Sequence, residues 1–318
     1  MSVVLGKPPF AYRVDSEWAK LPEGWSFREV TSVAVDRQDR VYAFTRGEHP
    51  MIVFDRDGNV LQTWGEGMFR RPHGLHIGPD DTIWCTDDLD QTVRKCTLDG
   101  KVLFMLGEPG KAAPFMSGLP FCLPTHTALS PEGDIYVTDG YGNARVHKFA
   151  PDGRLLFSWG ESGCDPGQFN LSHNVCCDAD GWVYVVDREN HRIQVFDGNG
   201  RYETQWNNLH RPNGLFMTSG PNRLFFIAEA GPTMNVNRAY PNLGSRVTVF
   251  SPEGKLVAHV GGPRPGHGPG QFISPHGIAV DSHGDIYIAE VSRTAWPAYF
   301  PGQPVPDDLK SLHKLCRI

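Results

Sequence analysis

Three histidines in this sequence have the residue type and spacing that a metal site needs. His73, His173 and His276 each stand at the entry to the first apolar run of a sequence repeat that recurs about every 40 residues. They fall in alternate copies of the repeat. If six copies form a closed ring, alternate copies lie about 120° apart, and three imidazoles would converge on the central axis. Three neutral imidazoles with open coordination positions are a ligand set of catalytic zinc, so we predict Zn²⁺ here, with another divalent transition metal as the alternative.

Two arginines and a tyrosine follow the second apolar run of their repeats. Arg46 in the first repeat and Arg188 in the fourth are equivalent, and Tyr141 lies one position further along in the third. Antiparallel strands return the chain to the end of the sheet where the histidines enter, so these side chains should reach the metal. Guanidinium groups there predict binding of a carboxylate or another anion, and a phenol beside a metal can act as a base. His126, one residue after the histidine position in the third repeat, is a candidate for substrate binding.

The repeat also predicts the elements that position these residues. Each copy contains three or four short apolar runs separated by turn sequences such as PDG, PEG and DADG, as antiparallel hairpins require. Six copies predict an all-β fold, a six-bladed β-propeller. The last copy lacks an outer strand, and an N-terminal strand at 10–18 should pair into the last blade and close the ring. We predict a single domain over 1–318, with blades at about 30–67, 69–110, 123–163, 169–209, 211–270 and 272–318.

Composition and charge narrow the class of protein. The chain has 318 residues, 40% hydrophobic and 21% charged, and its 35 Gly and 26 Pro fit many turns and few long helices. A net charge of −6 argues against a nucleic acid or an anionic membrane as the partner, and no apolar window is long enough for a membrane helix. Seven cysteines, two of them adjacent, and the lack of a secretory signal predict a cytoplasmic protein without a disulfide framework. The oligomeric state is left open.

Two long insertions interrupt the repeat pattern. Residues 231–245 and 294–308 both follow second strands, so they should lie at the same end of the blades as the histidines. Their Pro, Asn, Tyr and Trp content is typical of ordered lids that shape a pocket. We expect that pocket to bind a small-molecule substrate.

The motifs that carry these residues resemble a known family. The repeats resemble NHL repeats, and the chain over about 30–315 is similar to the peptidyl-α-hydroxyglycine α-amidating lyase family. The resemblance is carried by RPHGL (71–75), LSHNV (171–175), SPHGI (274–278), FTRGEHP (44–50), DGYGNARVHKF (139–149) and VDRENHRIQVF (186–196).

The resemblance to that family implies a specific reaction. Its members are six-bladed propellers that bind zinc through three such histidines and cleave an α-hydroxyglycine carbinolamide into an amide and glyoxylate. The resemblance therefore implies zinc on the three histidines named above, with Tyr141 as the base that takes the proton from the substrate hydroxyl. By the same matching, Arg46 and Arg188 would hold the substrate carboxylate and the developing charge.

The sequence departs from the family pattern at several positions. Ser274 stands where animal members carry a Met, and Gly277 stands where they carry the Asp that binds a structural calcium. The resemblance therefore does not predict a structural Ca²⁺ in this protein. Gly142 follows Tyr141 where the family has a disulfide cysteine. We expect no accompanying copper monooxygenase domain. We therefore expect the substrate to be a small carboxylate-bearing metabolite with an α-hydroxy amide or hemiaminal group.

Two other functions fit parts of the sequence. A gluconolactonase-type propeller would be a metal-dependent hydrolase or lactonase, but such enzymes typically bind calcium through Glu, Asn and Asp, whereas this axis is rich in His. A non-catalytic NHL interaction module would bind a protein or RNA, and it needs a basic or apolar surface but no converging histidines. The histidines favour the lyase.

Overall fold

Short buried runs rich in Val, Ile, Phe and Tyr alternate with tight turns along the chain, and they form six antiparallel sheets. The computed structural model describes residues 3–220 and 222–318. The fold is a six-bladed β-propeller, which confirms the predicted fold class. The chain divides into two compact units, the first Met1–Trp64 with Leu209–Ile318 and the second Gly65–Asn208. Each unit contains three blades, and the single domain over 1–318 stays a prediction.

The strands follow one another in chain order from the centre of each blade outward, apart from the last blade. The N-terminal strands and blade one are β1 (Val4–Lys7), β2 (Phe10–Asp15), β3 (Val30–Val35), β4 (Val41–Thr45), β5 (Met51–Phe54) and β6 (Val60–Trp64). Blades two and three are β7 (Pro72–Ile77), β8 (Thr82–Asp87), β9 (Thr92–Thr97), β10 (Val102–Leu106), β11 (His126–Leu129), β12 (Ile135–Asp139), β13 (Arg145–Phe149) and β14 (Leu155–Trp159). Blades four and five are β15 (Ser172–Cys177), β16 (Val183–Asp187), β17 (Arg192–Phe196), β18 (Tyr202–Trp206), β19 (Pro212–Met217), β20 (Phe225–Glu229), β21 (Arg246–Phe250) and β22 (Leu256–Val260). Blade six is β23 (Pro275–Val280), β24 (Ile286–Glu290) and β25 (Leu312–Arg317).

A recurring aspartate closes the turn after the innermost strand. In blade four, Asp178 accepts hydrogen bonds from the backbone N–H groups two and four residues later and from the Tyr184 hydroxyl. Asp36 in blade one and Asp281 in blade six make the same set of bonds. An Asp side chain that bonds backbone groups ahead of it fixes a tight turn. These local bonds explain why a short DxxG-like sequence can start each hairpin.

The N-terminal strand completes the last blade, as predicted. Strand β2 pairs antiparallel with β25, from Tyr12 opposite Arg317 to Asp15 opposite Lys314. Strand β1 pairs with β2 and gives this sheet a fifth strand, which the sequence analysis did not predict. The pairing joins the two ends of the described chain within one sheet, which covers an edge that would otherwise be open.

The two predicted insertions differ in structure. Residues 231–245 form turns and bends, whereas the second insertion contains the helix α1 (Ser292–Tyr299), which was predicted only as a loop. The insertions contact each other, because the Tyr299 hydroxyl donates to the Gly231 carbonyl over 2.6 Å. Among the described residues, no helix has the length and apolar character needed to cross a bilayer.

Candidate active site

β-bulges aim the three predicted histidines out of their strands. The cross-strand register of blade two shifts between Pro72 and Gly74, so His73 is the extra residue of a bulge. The same shift surrounds His173 in blade four and His276 in blade six. A bulge redirects one side chain without ending the strand. The histidines that share one sequence position therefore also share one local backbone structure.

Buried carboxylates hold the chain just before each of these histidines. Asp87, Asp187 and Glu290 lie at the ends of the second strands of blades two, four and six, and all three are buried. Each accepts hydrogen bonds from backbone N–H groups two or three residues before the histidine of its own blade. A buried carboxylate needs such donors to offset its desolvation. The bonds fix the backbone from which each imidazole projects.

In the second unit, one tyrosine hydroxyl lies between two of the predicted ligands. Tyr141 Oη is 3.0 Å from His73 Nε2 and 3.1 Å from His173 Nε2. The two imidazole ring centroids are 5.0 Å apart, and the nitrogens that could bind a metal lie within 4.8 Å of each other. Both histidines are buried, with 2% of their surface exposed. Three residues from three blades, predicted from the sequence as two metal ligands and a base, thus meet at one point.

Backbone carbonyls set which imidazole nitrogen is free to bind a metal. His73 Nδ1 lies 2.7 Å from the Thr125 carbonyl oxygen, and in the first unit His276 Nδ1 lies 2.6 Å from the Thr31 carbonyl oxygen. Because a carbonyl only accepts, Nδ1–H donates in both cases, and Nε2 of the neutral ring carries a lone pair. A carbonyl that orients a histidine in this way is the usual support of a metal ligand. The donor chemistry of these residues fits zinc.

Two guanidinium groups accompany Tyr141. Arg188 opens a short 3₁₀ turn, Arg188–Asn190, and its Cζ lies 5.7 Å from the Tyr141 ring centroid, within range of a cation–π contact. Its Nε donates to Glu189 over 2.8 Å. Arg71 interacts electrostatically with Tyr141 and donates to Asp88 over 2.6 Å. Burial lowers the pKa of Arg71 and the Asp88 carboxylate raises it, with a net upward shift.

Arg71 is a candidate functional residue that the sequence analysis missed. It belongs to the quoted motif RPHGL and precedes His73 by two residues. Its position was the available clue, because a residue two positions before a predicted metal ligand lies close to that ligand. No sequence pattern indicated its electrostatic interaction with Tyr141.

Arg46 belongs to the first unit and is held by a buried acid. Its Nη1 donates to Glu29 Oε2 over 2.9 Å, and Glu29 is 4% exposed. The same carboxylate accepts the Thr294 hydroxyl over 2.9 Å, which links Arg46 to the second insertion. Arg46 also lines a cavity of about 380 Å³.

His126 lies deep in the second unit and not at the Tyr141 hydroxyl. Its Nε2 is 3.2 Å from the Leu75 carbonyl oxygen, and its side chain packs over Gly74, where an added Cβ would be 3.0 Å from the imidazole. Burial, followed by repulsion from His76, lowers the pKa of His126 to about 3. The ring is therefore neutral at physiological pH. Its role in substrate binding stays a prediction.

The sequence and the fold are similar to those of several known proteins. The NHL repeat profile matches residues 121–149 and 169–196. NHL repeat-containing protein 3 of Homo sapiens is 33% identical over 313 residues, which cover 91% of this chain and 84% of that protein. Peptidyl-alpha-hydroxyglycine alpha-amidating lyase 1 of Drosophila melanogaster is 32% identical over 257 residues, which cover 74% of this chain and 45% of the lyase. This chain therefore spans less than half the length of that lyase.

A solved structure is similar in fold at low sequence identity. The gluconolactonase XC5397 of Xanthomonas campestris aligns with a TM-score of 0.59 and 13% identity, covering 96% of this chain and 89% of that chain. Identity at that level supports the propeller fold and no particular activity. The two ranges that match the NHL repeat contain Tyr141, His173 and Arg188.

Proposed function

The chain belongs to the family of NHL repeat-containing protein 3, and we propose that it is a zinc-dependent lyase that cleaves the C–N bond of an α-hydroxy amide. The observation that carries the proposal is the Tyr141 hydroxyl, 3.0 Å from His73 Nε2 and 3.1 Å from His173 Nε2. A phenol held between two imidazoles suits proton transfer beside a cation, and blade packing does not require it. Similarity to a protein named as an amidating lyase supports this reaction class.

The proposed metal ligands are the Nε2 atoms of His73, His173 and His276. Support for His276 comes from its own blade, where it has the same bulge and the same Nδ1–carbonyl bond as His73. Zinc bound to these atoms would supply Lewis acidity that makes the substrate hydroxyl easier to deprotonate.

Tyr141 is the base in this proposal. As the phenolate, Tyr141 takes the proton of the substrate hydroxyl, the C–O bond becomes a carbonyl, and the C–N bond breaks with its electron pair moving to nitrogen. The proton on Tyr141 then passes to that nitrogen, so the phenolate is restored and no oxidant or reductant is needed. An α-hydroxyglycine derivative would give an amide and glyoxylate.

The arginines bind the anionic group of the substrate. Arg188 lies beside the Tyr141 ring, and Arg46 is fixed by Glu29. A guanidinium fork suits a carboxylate, because two parallel N–H groups match its two oxygens. The substrate class that fits is a small carboxylate-bearing α-hydroxy amide or hemiaminal.

Replacement of Tyr141 tests the proposal. Tyr141→Phe keeps the ring and removes the proton acceptor, so the zinc content should stay unchanged while kcat on N-benzoyl-α-hydroxyglycine falls at least about 100-fold. Tyr202→Phe, on the outer strand of blade four, is the matched control and should leave kcat unchanged. Unchanged turnover in Tyr141→Phe would exclude the tyrosine as the base.

A further inference from the structure

A chain of hydrogen bonds crosses blade three from its outer strand to the end of its second strand. Ser158 Oγ lies 2.7 Å from His147 Nδ1, and His147 Nε2 lies 3.1 Å from Asp139 Oδ2. His147 and Asp139 are completely buried. An ionised carboxylate only accepts, so His147 Nε2–H donates to Asp139. The Ser158 hydroxyl can donate or accept, and its bond to Nδ1 holds the ring in the orientation that this contact needs.

Asp139 links the turn that carries Tyr141 to the segment before blade three. Its carboxylate accepts the Cys122 backbone N–H and an N–H of the Asn143 side chain, each over 2.9 Å. Asn143 also accepts the backbone N–H of residue 118 over 2.8 Å and donates to the carbonyl of residue 119 over 2.7 Å. The turn 139–143 and the segment 116–122 are thus clamped together through one buried carboxylate.

Close packing reinforces this clamp. The backbone N–H of Met116 donates to the Gly142 carbonyl over 2.8 Å. A Cβ added at Gly142 would lie 2.3 Å from Cys122 Sγ, so only glycine lets the two segments approach this closely. Tyr141 lies between Asp139 and Gly142, and its position depends on both contacts.

Two other blades use other donors at the same register position. His147 faces Val137 on the second strand, as Gln194 faces Val185 in blade four and Thr248 faces Ile227 in blade five. Gln194 Nε2 donates to Asp187 over 3.1 Å, and the Thr248 hydroxyl donates to Glu229. In blade six the donor is again an imidazole, since His313 Nε2 lies 2.7 Å from Glu290 Oε2. Blades four and five therefore bond the buried acid from this position without an imidazole.

We propose that His147 is a positioning residue for Tyr141, an inference that rests on the base role proposed for Tyr141. Without the His147 N–H, the buried Asp139 carboxylate loses a donor, and the turn 139–143 relaxes. Tyr141 must stay close to two imidazole nitrogens on two other blades, and a displacement of about 1 Å costs about 100-fold in rate. The effect falls on kcat more than on KM, because Arg46 and Arg188 keep their own carboxylate partners.

The experiment compares three variants. His147→Leu removes the donor, His147→Gln restores it in the form that blade four uses, and Thr248→Val removes the equivalent donor from blade five. The zinc-loaded proteins are assayed with N-benzoyl-α-hydroxyglycine, and amide hydrogen exchange of segment 116–122 is measured on zinc-free protein. We expect His147→Leu to lose about 100-fold in kcat and to exchange the Cys122 amide faster. His147→Gln should stay close to wild type in kcat and in the exchange rate of the Cys122 amide. Thr248→Val should keep the kcat of wild type.

Each other outcome has a defined meaning. Equal losses of kcat in His147→Leu and Thr248→Val would show general destabilisation and overturn the proposal. Unchanged kcat in His147→Leu, with Tyr141→Phe inactive, would overturn it as well. If wild type cleaves no α-hydroxy amide, the proposed lyase function fails and the exchange data decide. Unchanged protection of segment 116–122 in His147→Leu then overturns the positioning role, and faster exchange that His147→Gln reverses supports it.

Discussion

Replacing His126 with Asn should remove part of the acid sensitivity of the fold. The His126 side chain is 8% exposed, and its Nε2 lies 3.2 Å from the Leu75 carbonyl oxygen. Asn174 occupies the equivalent position of the innermost strand in blade four, so this site in a blade accepts an amide side chain. An Asn side chain can donate a hydrogen bond as the imidazole does, but it does not titrate.

The size of the effect follows from the pKa of His126. Burial, followed by repulsion from His76, lowers this pKa from 6.5 to about 3 in the folded state. The stabilisation by the neutral ring is fully present above the unfolded pKa of 6.5 and is lost as the pH falls toward the folded pKa. Between pH 7 and pH 5 the unfolded chain takes up about 0.7 of a proton at this position that the folded chain does not, and the accumulated difference costs about 2 kcal/mol.

Urea unfolding of the metal-free protein at pH 7 and pH 5 measures this difference. Wild type should lose about 2 kcal/mol more of its free energy of unfolding than His126→Asn over that range. His76, whose pKa burial lowers to about 4, is present in both proteins and adds the same loss to each. Equal losses in the two proteins would refute the assignment of a buried, neutral imidazole at position 126.

Two further predictions concern stability. A Cβ at Gly58 would lie 1.7 Å from the Trp18 carbonyl oxygen at a φ of +84°, so Gly58→Ala should cost about 3 kcal/mol. Gly24→Ala, with positive φ but no neighbour within 4 Å, should cost about 1 kcal/mol. Equal losses of unfolding free energy in urea for the two variants would contradict the close contact at Gly58. Asp187→Asn leaves the buried Arg192 guanidinium without its 2.8 Å carboxylate partner and should cost about 3 kcal/mol. An unchanged unfolding midpoint would contradict that ion pair.

The sequence predicts the blades well because their bonds are local. Each hairpin joins runs that are close in sequence, and turn residues such as Asp178 make their bonds within six positions. The equivalence of His73, His173 and His276 is visible for the same reason, since each stands at the same offset from a second strand. Their shared bulge follows from that offset.

Contacts between segments distant in sequence were not predictable in this way. The pairing of Arg46 with Glu29 and the electrostatic interaction of Arg71 with Tyr141 depend on how loops pack after the sheets form. Strand β1 has no counterpart in the other blades, so the repeat gave no template for it. Helix α1 contains Pro297, which disfavours a helix interior, and its burial of Trp296 and Tyr299 outweighs that local preference.

Metal content tests the central proposal most directly. Mass spectrometry of purified wild type should find about one zinc ion or similar transition metal per chain, and His173→Ala and His276→Ala should lose it. His283→Ala, which removes an imidazole that is 56% exposed, is the matched control and should keep the metal. A well-folded wild type that stays metal-free after zinc is added, or a His276→Ala variant that binds zinc as wild type does, would contradict the proposed three-histidine site.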